Sequence, residues 1–156
     1  KIIKRIAFQI HEKNQNESEI FLIGIYKNGY ILSELIKNEL KIISNSKINL
    51  CCLKINKKEP FDNLEFDFEL IQMKNKSVVL IDDVLNSGKT LIYGVKYLLD
   101  IPLSNFNTAV LIDRNHKKFP IKIDFKGISL STSIEENVNV VFDKNKSYAI
   151  IDWEFQ

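Results

Sequence analysis

The sequence predicts an α/β fold, with a mainly parallel central sheet flanked by helices. Continuous apolar stretches of strand length alternate with segments whose apolar residues recur every three or four positions. Strands that are buried on both faces have such unbroken apolar runs, and their alternation with helices is typical of βαβ units. The length of 156 residues corresponds to one domain, so we expect a single domain over residues 1–156.

The first half of the chain predicts two amphipathic helices, each followed by a buried strand. The first helix ends at the polar run 14–18, and the second follows a predicted Lys-Asn-Gly turn at 27–29. The strands cover 20–26 and 48–55. The apolar faces of the two helices comprise Ile2, Ile3, Ile6, Ala7 and Ile10, and Ile31, Leu32, Leu35, Ile36 and Leu40.

The pattern changes after residue 55. Residues 56–76 mix a proline, acidic residues and phenylalanines without a clear period, which predicts a flexible loop or hairpin excursion at 56–68, outside the main sheet. Residues 77–82 are the clearest buried strand, and 108–113 predict a further strand. The helix between these strands has an apolar face of Leu91, Ile92, Val95, Leu98 and Leu99. Short late strands are expected at 125–130, 138–142 and 148–153.

Composition and charge exclude several classes of protein. The net charge of +2 is too small to indicate nucleic-acid binding by itself. No apolar window approaches the ~18–20 residues of a membrane span, so we expect no membrane association. The two cysteines, Cys51 and Cys52, are neighbours that pair badly with each other. This points to a reducing, cytoplasmic location and argues against a zinc site.

The strongest chemical signal is the segment 78–90, Val-Val-Leu-Ile-Asp-Asp-Val-Leu-Asn-Ser-Gly-Lys-Thr. A buried strand delivers two carboxylates, Asp82 and Asp83, to the edge of the sheet where open α/β proteins bind ligands. A small polar turn with Gly88 follows, and a helix begins. The first N–H groups of that helix lack intrahelical partners and favour an anion such as phosphate. Two carboxylates beside a phosphate indicate a sugar diol or Mg²⁺.

Two other interpretations of this segment are weaker. The end of the segment looks like a nucleotide-binding P-loop, but that motif needs a glycine where this chain has Asp83, whose charge would repel a triphosphate. A purely structural strand and helix cap would explain Ser87 as the N-cap residue. It would not explain two aspartates against an apolar strand, because unpaired charge is rare near a core.

The segment resembles the phosphoribosyl-pyrophosphate (PRPP) motif of type I phosphoribosyltransferases. That motif has an apolar strand, two acidic residues, two apolar residues, a variable residue, Thr or Ser, Gly, any residue and Thr. Residues 22–29 resemble the pyrophosphate loop of the same family. Residues 109–121 are similar to the bifunctional pyrimidine operon regulators that also have uracil phosphoribosyltransferase activity, which carry Asp-Arg-Gly-His and then a proline here. The resemblance covers nearly the whole chain and is weakest at 56–76.

The resemblance implies a type I phosphoribosyltransferase fold with a small hood, and a homodimer or higher homo-oligomer. PRPP and a nucleobase or nucleotide would be the ligands, and the loop 56–68 would close over PRPP. Mg²⁺ would be the cofactor, held mainly through PRPP, with no side-chain ligands beyond, at most, Asp82 and Asp83. The implied groups are catalytic Asp82, Asp83 and Lys27; pyrophosphate-binding Tyr26, Lys27, Asn28 and Gly29; 5′-phosphate-binding Asn86, Ser87, Gly88, Lys89 and Thr90; and base-pocket Asp113 and Arg114.

Alternatives remain open for four residues near this pocket. A strand-end pair such as Asp113 and Arg114 is often only a surface ion pair. His116 is either a loop residue or a catalytic acid. Asn86 stands where purine-specific members usually place an aspartate near the purine N7, and an amide cannot be a carboxylate base, so the residue disfavours purines.

Three functions follow from the resemblance. The first is transfer of the 5-phosphoribosyl group from PRPP to a nucleobase, uracil, with release of pyrophosphate. The second is a regulator that senses PRPP or nucleotide and binds RNA, with weak or no catalysis. The third is a purine phosphoribosyltransferase. The regulators have Thr-Arg-Gly where this chain has Lys-Asn-Gly at 27–29, which removes an arginine fork for phosphate.

RNA binding has little support in the sequence. One face of the first helix carries cations and an aromatic residue, an arrangement that can bind RNA by phosphate contact and stacking. Glu12 lies on the same face, however, and Phe8 replaces a histidine of the regulators. The basic residues of this face are Lys1, Lys4, Arg5 and His11.

Overall fold

The computed structural model describes residues 1–56, 58–59, 64–131, 136–143 and 148–153, and it has a three-layer α/β arrangement. The helices are α1 (Ile2–Lys13), α2 (Asn28–Ile43) and α3 (Lys89–Leu98), with a short 3₁₀ helix at Leu70–Met73. The strands are β1 (Glu19–Ile25), β2 (Lys47–Lys54), β3 (Glu65–Phe66), β4 (Ser77–Leu85), β5 (Asn105–Asp113), β6 (Phe125–Ser129), β7 (Glu136–Val141) and β8 (Tyr148–Trp153).

Six strands form the central sheet in the order β3-β2-β1-β4-β5-β6. All neighbouring pairs are parallel except β2 and β3, which confirms the predicted mainly parallel sheet. The register places Ile23 beside Leu80 and Leu80 beside Thr108. Because β1, β4 and β5 are parallel neighbours, their carboxyl ends lie together at one edge of the sheet.

Helices cover both faces of this sheet, as the sequence predicts. Ile6 and Ile10 of α1 and Leu32 and Ile36 of α2 are fully buried in the apolar core on one face. The core on the other face lies beneath α3 and contains Leu98. The predicted apolar face of α3 is wrong at its last position, because the helix ends at Leu98 and Leu99 is 55% exposed.

Glycine allows α2 to lie directly against β1. A Cβ added to Gly24 would be 2.4 Å from the Cα of Tyr30 and 2.6 Å from Oγ of Ser33. Both of these residues belong to α2, so backbone meets backbone at this crossing. The same contact fixes where α2 begins, and therefore where its first N–H groups lie relative to the carboxyl end of β1.

The predicted excursion after residue 55 is wrong in part, because some of it belongs to the main sheet. Glu65 and Phe66 pair antiparallel with the end of β2. The ring of Phe68 lies 5.5 Å from that of Phe21, and Met73 is fully buried. The partly buried Phe68 and the buried Met73 pack into the apolar core on the α3 face of the sheet. They come from an irregular segment, so their spacing follows neither a helical nor a strand period. The part of the predicted flexible loop at 57 and 60–63 lies outside the described residues.

Two further boundaries differ from the sequence prediction. The predicted turn at 27–29 is wrong, because α2 already begins at Asn28. Strand β4 continues three residues beyond Asp82, because its partner β5 stays in register as far as Leu85 and Asp113. Asn-Gly is a turn former in isolation, and here the contact of the helix with β1 and β4 overrides that preference.

The late strands form two structures. Strand β6 joins the central sheet, whereas β7 and β8 form a separate antiparallel hairpin that corresponds to the expected hood. Val138 and Val140 of β7 pack against Ile112 near the end of β5. The hairpin therefore lies over the carboxyl edge of the sheet. Within the described ranges, no helix has the length and the hydropathy needed to cross a bilayer.

We expect Gly24→Ala to lower the free energy of unfolding by at least about 2 kcal/mol, because the new methyl group would overlap the backbone of Tyr30. Gly94→Ala is the matched control. Its Cβ would lie 2.9 Å from a terminal methyl group of Leu80, which can move, and alanine favours the helix. Urea unfolding of both variants measures the difference. Equal losses would contradict the role given to the α2–β1 crossing.

Candidate active site

Three chain segments meet at the carboxyl edge of the sheet. They are the connection from β1 to α2, the connection from β4 to α3, and the end of β5 with the hairpin above it. The site residues predicted from the sequence lie in these segments. The sheet order β1-β4-β5 places the predicted pyrophosphate loop on one side of Asp82 and Asp83, and the predicted base-pocket residues on the other.

The first turn of α2 packs tightly against the end of β4. A Cβ on Gly29 would lie 2.6 Å from the carbonyl oxygen of Ile81 and 3.0 Å from the Cα of Asp82. Only glycine permits this approach. The first N–H groups of a helix have no intrahelical acceptor and carry partial positive charge. The tight packing therefore brings an anion-binding helix terminus beside the aspartates.

Asp82 and Asp83 are both buried, at 4% and 7% exposure. The backbone N–H of Asp83 donates to Oδ1 of Asp82 at 2.9 Å, and the amide of Asn28 donates to Oδ2 of Asp83 at 2.9 Å. Asp82 also lines the small pocket formed by the β4–α3 connection. Two buried carboxylates with fixed donors form a rigid acceptor pair at the centre of the site.

The side chain of Asn28, a residue that the resemblance assigns to pyrophosphate binding, donates to two groups of the protein itself. Its Nδ2 donates both to Asp83 and to the carbonyl oxygen of Val140, each at 2.9 Å. Both N–H bonds of the amide are therefore engaged by the protein, and the side chain connects β4 to the hairpin. The donor available to an anion at this position is the backbone N–H in the first turn of α2.

The predicted 5′-phosphate loop surrounds a small polar pocket of ≈ 50 Å³. Gly88 has φ of +82°, in the left-handed region, and is the N-cap residue of α3. Ser87 Oγ accepts a weak hydrogen bond from the N–H of Lys89 at 3.3 Å. The pocket is lined by Asp82 and by all residues from Val84 to Leu91.

A second chain segment supports this loop from outside. The N–H groups of Lys118 and Phe119 donate to the carbonyl oxygen of Ser87 at 2.8 and 3.1 Å. A Cβ on Gly88 would lie 2.7 Å from Cγ2 of Ile121. The segment after β5 therefore holds the turn in place. No feature of the sequence predicted this contact, because it depends on backbone carbonyl and N–H groups.

The other pyrophosphate-loop residues are open to solvent. Tyr26 is 51% exposed and Lys27 is exposed, and the peptide bond between them is cis. The Lys54 ammonium lies 5.7 Å from the centre of the Tyr26 ring and 2.9 Å from Glu65, whose hydrogen bond raises the pKa of Lys54. The loop thus has one exposed cation, Lys27, and a second at the end of β2.

Asp113 and Arg114 are buried, at 2% and 5% exposure, so they are not a surface ion pair. Asp113 accepts from the N–H of Asn115 at 3.0 Å and lies 3.4 Å from the ammonium of Lys126. Arg114 Nη1 donates to Oδ1 of Asn86 at 2.7 Å, and Nη2 donates to the carbonyl oxygen of Glu136. These contacts join the end of β5 to the phosphate loop and the hairpin. His116 lies in the following loop and is half-buried.

Metal ligation was predicted to involve no dedicated side-chain cage. Among the residues that the structure describes, no three His, Cys, Asp or Glu side chains are grouped in a way that could hold a metal. The two carboxylates at the end of β4 fit a cation bound jointly by protein and ligand, since Mg²⁺ usually uses one or two carboxylates together with substrate phosphates.

The chain resembles known proteins in sequence over most of its length. The profile of the phosphoribosyl transferase domain matches residues 1–144. A protein of Fusobacterium nucleatum named Bifunctional protein PyrR is 34% identical over 146 residues, covering 88% of this chain and 82% of that protein. A protein of the same name from Streptococcus agalactiae is 33% identical over 159 residues, covering 96% and 90%.

Solved structures show the same fold at lower sequence identity. The hypoxanthine phosphoribosyltransferase of Trypanosoma cruzi superposes with a TM-score of 0.76 at 15% identity, covering 96% of this chain and 89% of that one. A hypoxanthine-guanine phosphoribosyltransferase of Bacillus anthracis gives a TM-score of 0.70 at 16% identity, covering 83% and 75%. These structures support the fold, which agrees with the sequence prediction.

We expect Gly88→Ala to weaken the binding of ribose 5-phosphate by about 10-fold or more, because a side chain is strained at this φ and would overlap Ile121. The free energy of unfolding should fall by only ~1–2 kcal/mol. Calorimetric titration of the variant and of Gly94→Ala, in the same helix but away from the pocket, measures both effects. Unchanged affinity in Gly88→Ala would contradict the assignment of phosphate binding to this loop.

Proposed function

The chain belongs to the phosphoribosyl transferase domain family and is thus a PRPP-dependent transferase, and we propose that it transfers the 5-phosphoribosyl group from PRPP to uracil with release of pyrophosphate. The proposal assigns the site residues as the sequence did, except that Asn28 contributes its backbone and not its side chain to pyrophosphate binding. The single observation that carries it is the buried pair Asp82 and Asp83, set between two helix N-termini.

This arrangement matches the parts of PRPP in order. The diol of the ribose would donate hydrogen bonds to the two aspartates. A carboxylate accepts up to about four hydrogen bonds, so the bond from Asn28 leaves Asp83 able to accept a hydroxyl. The N-terminus of α3 would bind the 5′-phosphate, and the N-terminus of α2 would bind the pyrophosphate. The sheet holds these three groups in fixed positions.

The reaction breaks the bond between C1 of the ribose and pyrophosphate while a ring nitrogen of the base forms a bond to the same carbon. The transition state carries positive charge on the sugar and negative charge on the leaving group. Lys27 and the first N–H groups of α2 stabilise the leaving pyrophosphate, and Asp82 and Asp83 lie beside the cationic sugar. Fixed charges and dipoles of this kind need no reorganisation during the reaction.

Mg²⁺ is the proposed cofactor. Asp82 and Asp83 supply the carboxylate oxygens that would hold it, together with oxygens of PRPP. When bound, the ion neutralises charge on the pyrophosphate leaving group.

Two observations support uracil as the acceptor. Asn86 lies where a purine-specific enzyme would need a carboxylate, and its amide oxygen accepts from Arg114 at 2.7 Å. The chain also has relatives at about one third identity that are named Bifunctional protein PyrR. This supports the resemblance to the bifunctional pyrimidine regulators, from which the choice of uracil follows. A purine acceptor is the alternative tested by the same assay.

The experiment that tests this function is pyrophosphate release from PRPP and Mg²⁺ with uracil, hypoxanthine, guanine, xanthine and orotate as acceptors. We expect turnover with uracil to exceed turnover with each purine. The double variant Asp82→Asn, Asp83→Asn should bind PRPP at least about 100-fold more weakly, since two charge-assisted hydrogen-bond sites are lost. Calorimetry measures the affinity, and circular dichroism shows whether the fold is kept.

The matched control for this pair is Asp100→Asn. Asp100 is exposed just after the end of α3, at the opposite edge of the sheet, and it undergoes the same change of charge. We expect it to bind PRPP as the unaltered protein does. Unchanged affinity in the double variant would contradict the assignment of the aspartates, and faster turnover with a purine would reverse the choice of base.

RNA binding is the second candidate function, and one surface supports it. Lys4 and Phe8 lie on the outer face of α1, where the ammonium is 6.0 Å from the centre of the ring and Phe8 is 41% exposed. Arg5, in contrast, donates to the carbonyl oxygens of Lys126 and Gly127 and so connects α1 to β6. The cations available for phosphate contact are therefore few.

We expect only weak RNA affinity that salt removes, with or without uridine nucleotide, because each phosphate contact contributes a slope of ~0.7–0.9 to the logarithmic salt dependence. A fluorescence titration with RNA at several salt concentrations measures it. Lys4→Gln should lower the slope by ~0.7–0.9, the contribution of one phosphate contact. Lys96→Gln on α3 should leave the slope unchanged. Nanomolar, sequence-selective binding at ~0.15 M salt, lost in Lys4→Gln, would establish the regulatory function instead.

A further inference from the structure

Arg114 is a buried cation that contacts two other segments of the site. Its backbone N–H donates to the carbonyl oxygen of Leu85 at 3.2 Å, which holds the residue beside the end of β4. Its guanidinium donates to Oδ1 of Asn86 at 2.7 Å and to the carbonyl oxygen of Glu136, the first residue of β7. A charge with 5% exposure is held in one orientation by such contacts.

The contact with Asn86 determines which way the amide faces. A guanidinium has only donors, so the atom of Asn86 that it contacts must be the carbonyl oxygen. The NH₂ group of the same amide is then directed away from Arg114. Asn86 is exposed at the rim of the phosphate pocket, so this group can donate to a bound molecule.

The order of the strands indicates which part of the substrate lies there. The α2 terminus lies on the β1 side of Asp82 and Asp83, and Arg114 follows β5 on their other side. If pyrophosphate occupies the β1 side, the group attached to the opposite face of the ribose lies towards β5. That group is the base.

We propose that Arg114 is a positioning residue that sets base preference by holding Asn86 as a hydrogen-bond donor, so that the site accepts a base edge carrying a carbonyl oxygen and rejects one carrying an amino group. The inference rests on the proposed transfer from PRPP. The inference adds that the site prefers uracil to cytosine. The amino group of cytosine is a hydrogen-bond donor and would face the NH₂ group of Asn86, which is also a donor. A donor that faces another donor loses a hydrogen bond, so the amide of Asn86 discriminates between the two bases.

The test compares kcat/KM for uracil and for cytosine, with PRPP in excess, in three variants. Arg114→Gln leaves the amide of Asn86 free to turn, and we expect the preference for uracil to fall by about 10-fold or more. Arg114→Lys keeps a cationic donor for the amide oxygen and should restore most of the preference. Asn86→Asp presents only acceptor oxygens, so uracil turnover should fall and the ratio should shift towards cytosine.

Three measurements separate this inference from a purely structural role. PRPP affinity should stay within about threefold in both Arg114 variants, and Lys122→Gln, an exposed cation paired with Asp124, should leave the base ratio unchanged. Asn86→Asp alters a residue of the 5′-phosphate loop, so it is compared by its base ratio alone, at saturating PRPP. If Arg114→Gln does not fold, Asn86→Asp decides the question alone. A base ratio that is unchanged in Asn86→Asp, or an unaltered protein that uses uracil and cytosine equally, would overturn the inference. Absence of pyrophosphate release with every base would instead overturn the proposed function.

Discussion

The close approach of α2 to β4 is the contact on which the rest of the site depends. Gly29 allows the first turn of the helix to come within van der Waals distance of the Ile81 carbonyl and of Asp82, where any side chain would overlap. Gly24 allows the same helix to lie against β1. Two glycines thus place a helix N-terminus, which attracts anions, directly beside two buried carboxylates. A ligand that carries both a phosphate and a diol satisfies the two together.

Three charged side chains of the site are held in place by contacts with the protein itself. Asp83 is held by Asn28, Asp113 by Lys126 and a backbone N–H, and Arg114 by Asn86 and the hairpin. Their exposure is 2–7%, so their positions do not depend on solvent. Catalysis of a reaction with little covalent participation by the protein requires this kind of preorganisation. The hairpin takes part in it through the carbonyl oxygens of Val140 and Glu136.

Asn28, the first residue of α2, shows how one substitution can change which groups a side chain contacts. In the regulators that this sequence resembles, an arginine at this position offers a fork for phosphate. Here a shorter amide donates to Asp83 and to Val140 and becomes part of the support of the aspartates. In the proposed reaction, charge for the leaving pyrophosphate would come from Lys27 and the N-terminus of α2. The backbone dipole would then contribute more, and cationic side chains less, than in those regulators.

The sequence by itself determined the fold class, most of the helices and strands, and the segment 78–90, because unbroken apolar runs, helical periods and a specific motif are local properties of the chain. It also assigned the candidate residues at the ends of β1, β4 and β5. The tertiary structure decided what depends on distant contacts: the start of α2 at Asn28, the extension of β4 to Leu85, and the addition of β3 to the sheet edge. It also decided that Asn28 serves Asp83 and that Arg114 orients Asn86. Amide and guanidinium groups take whichever partner the fold brings near them, and the residues that supply those partners lie between 22 and 112 positions away in the chain.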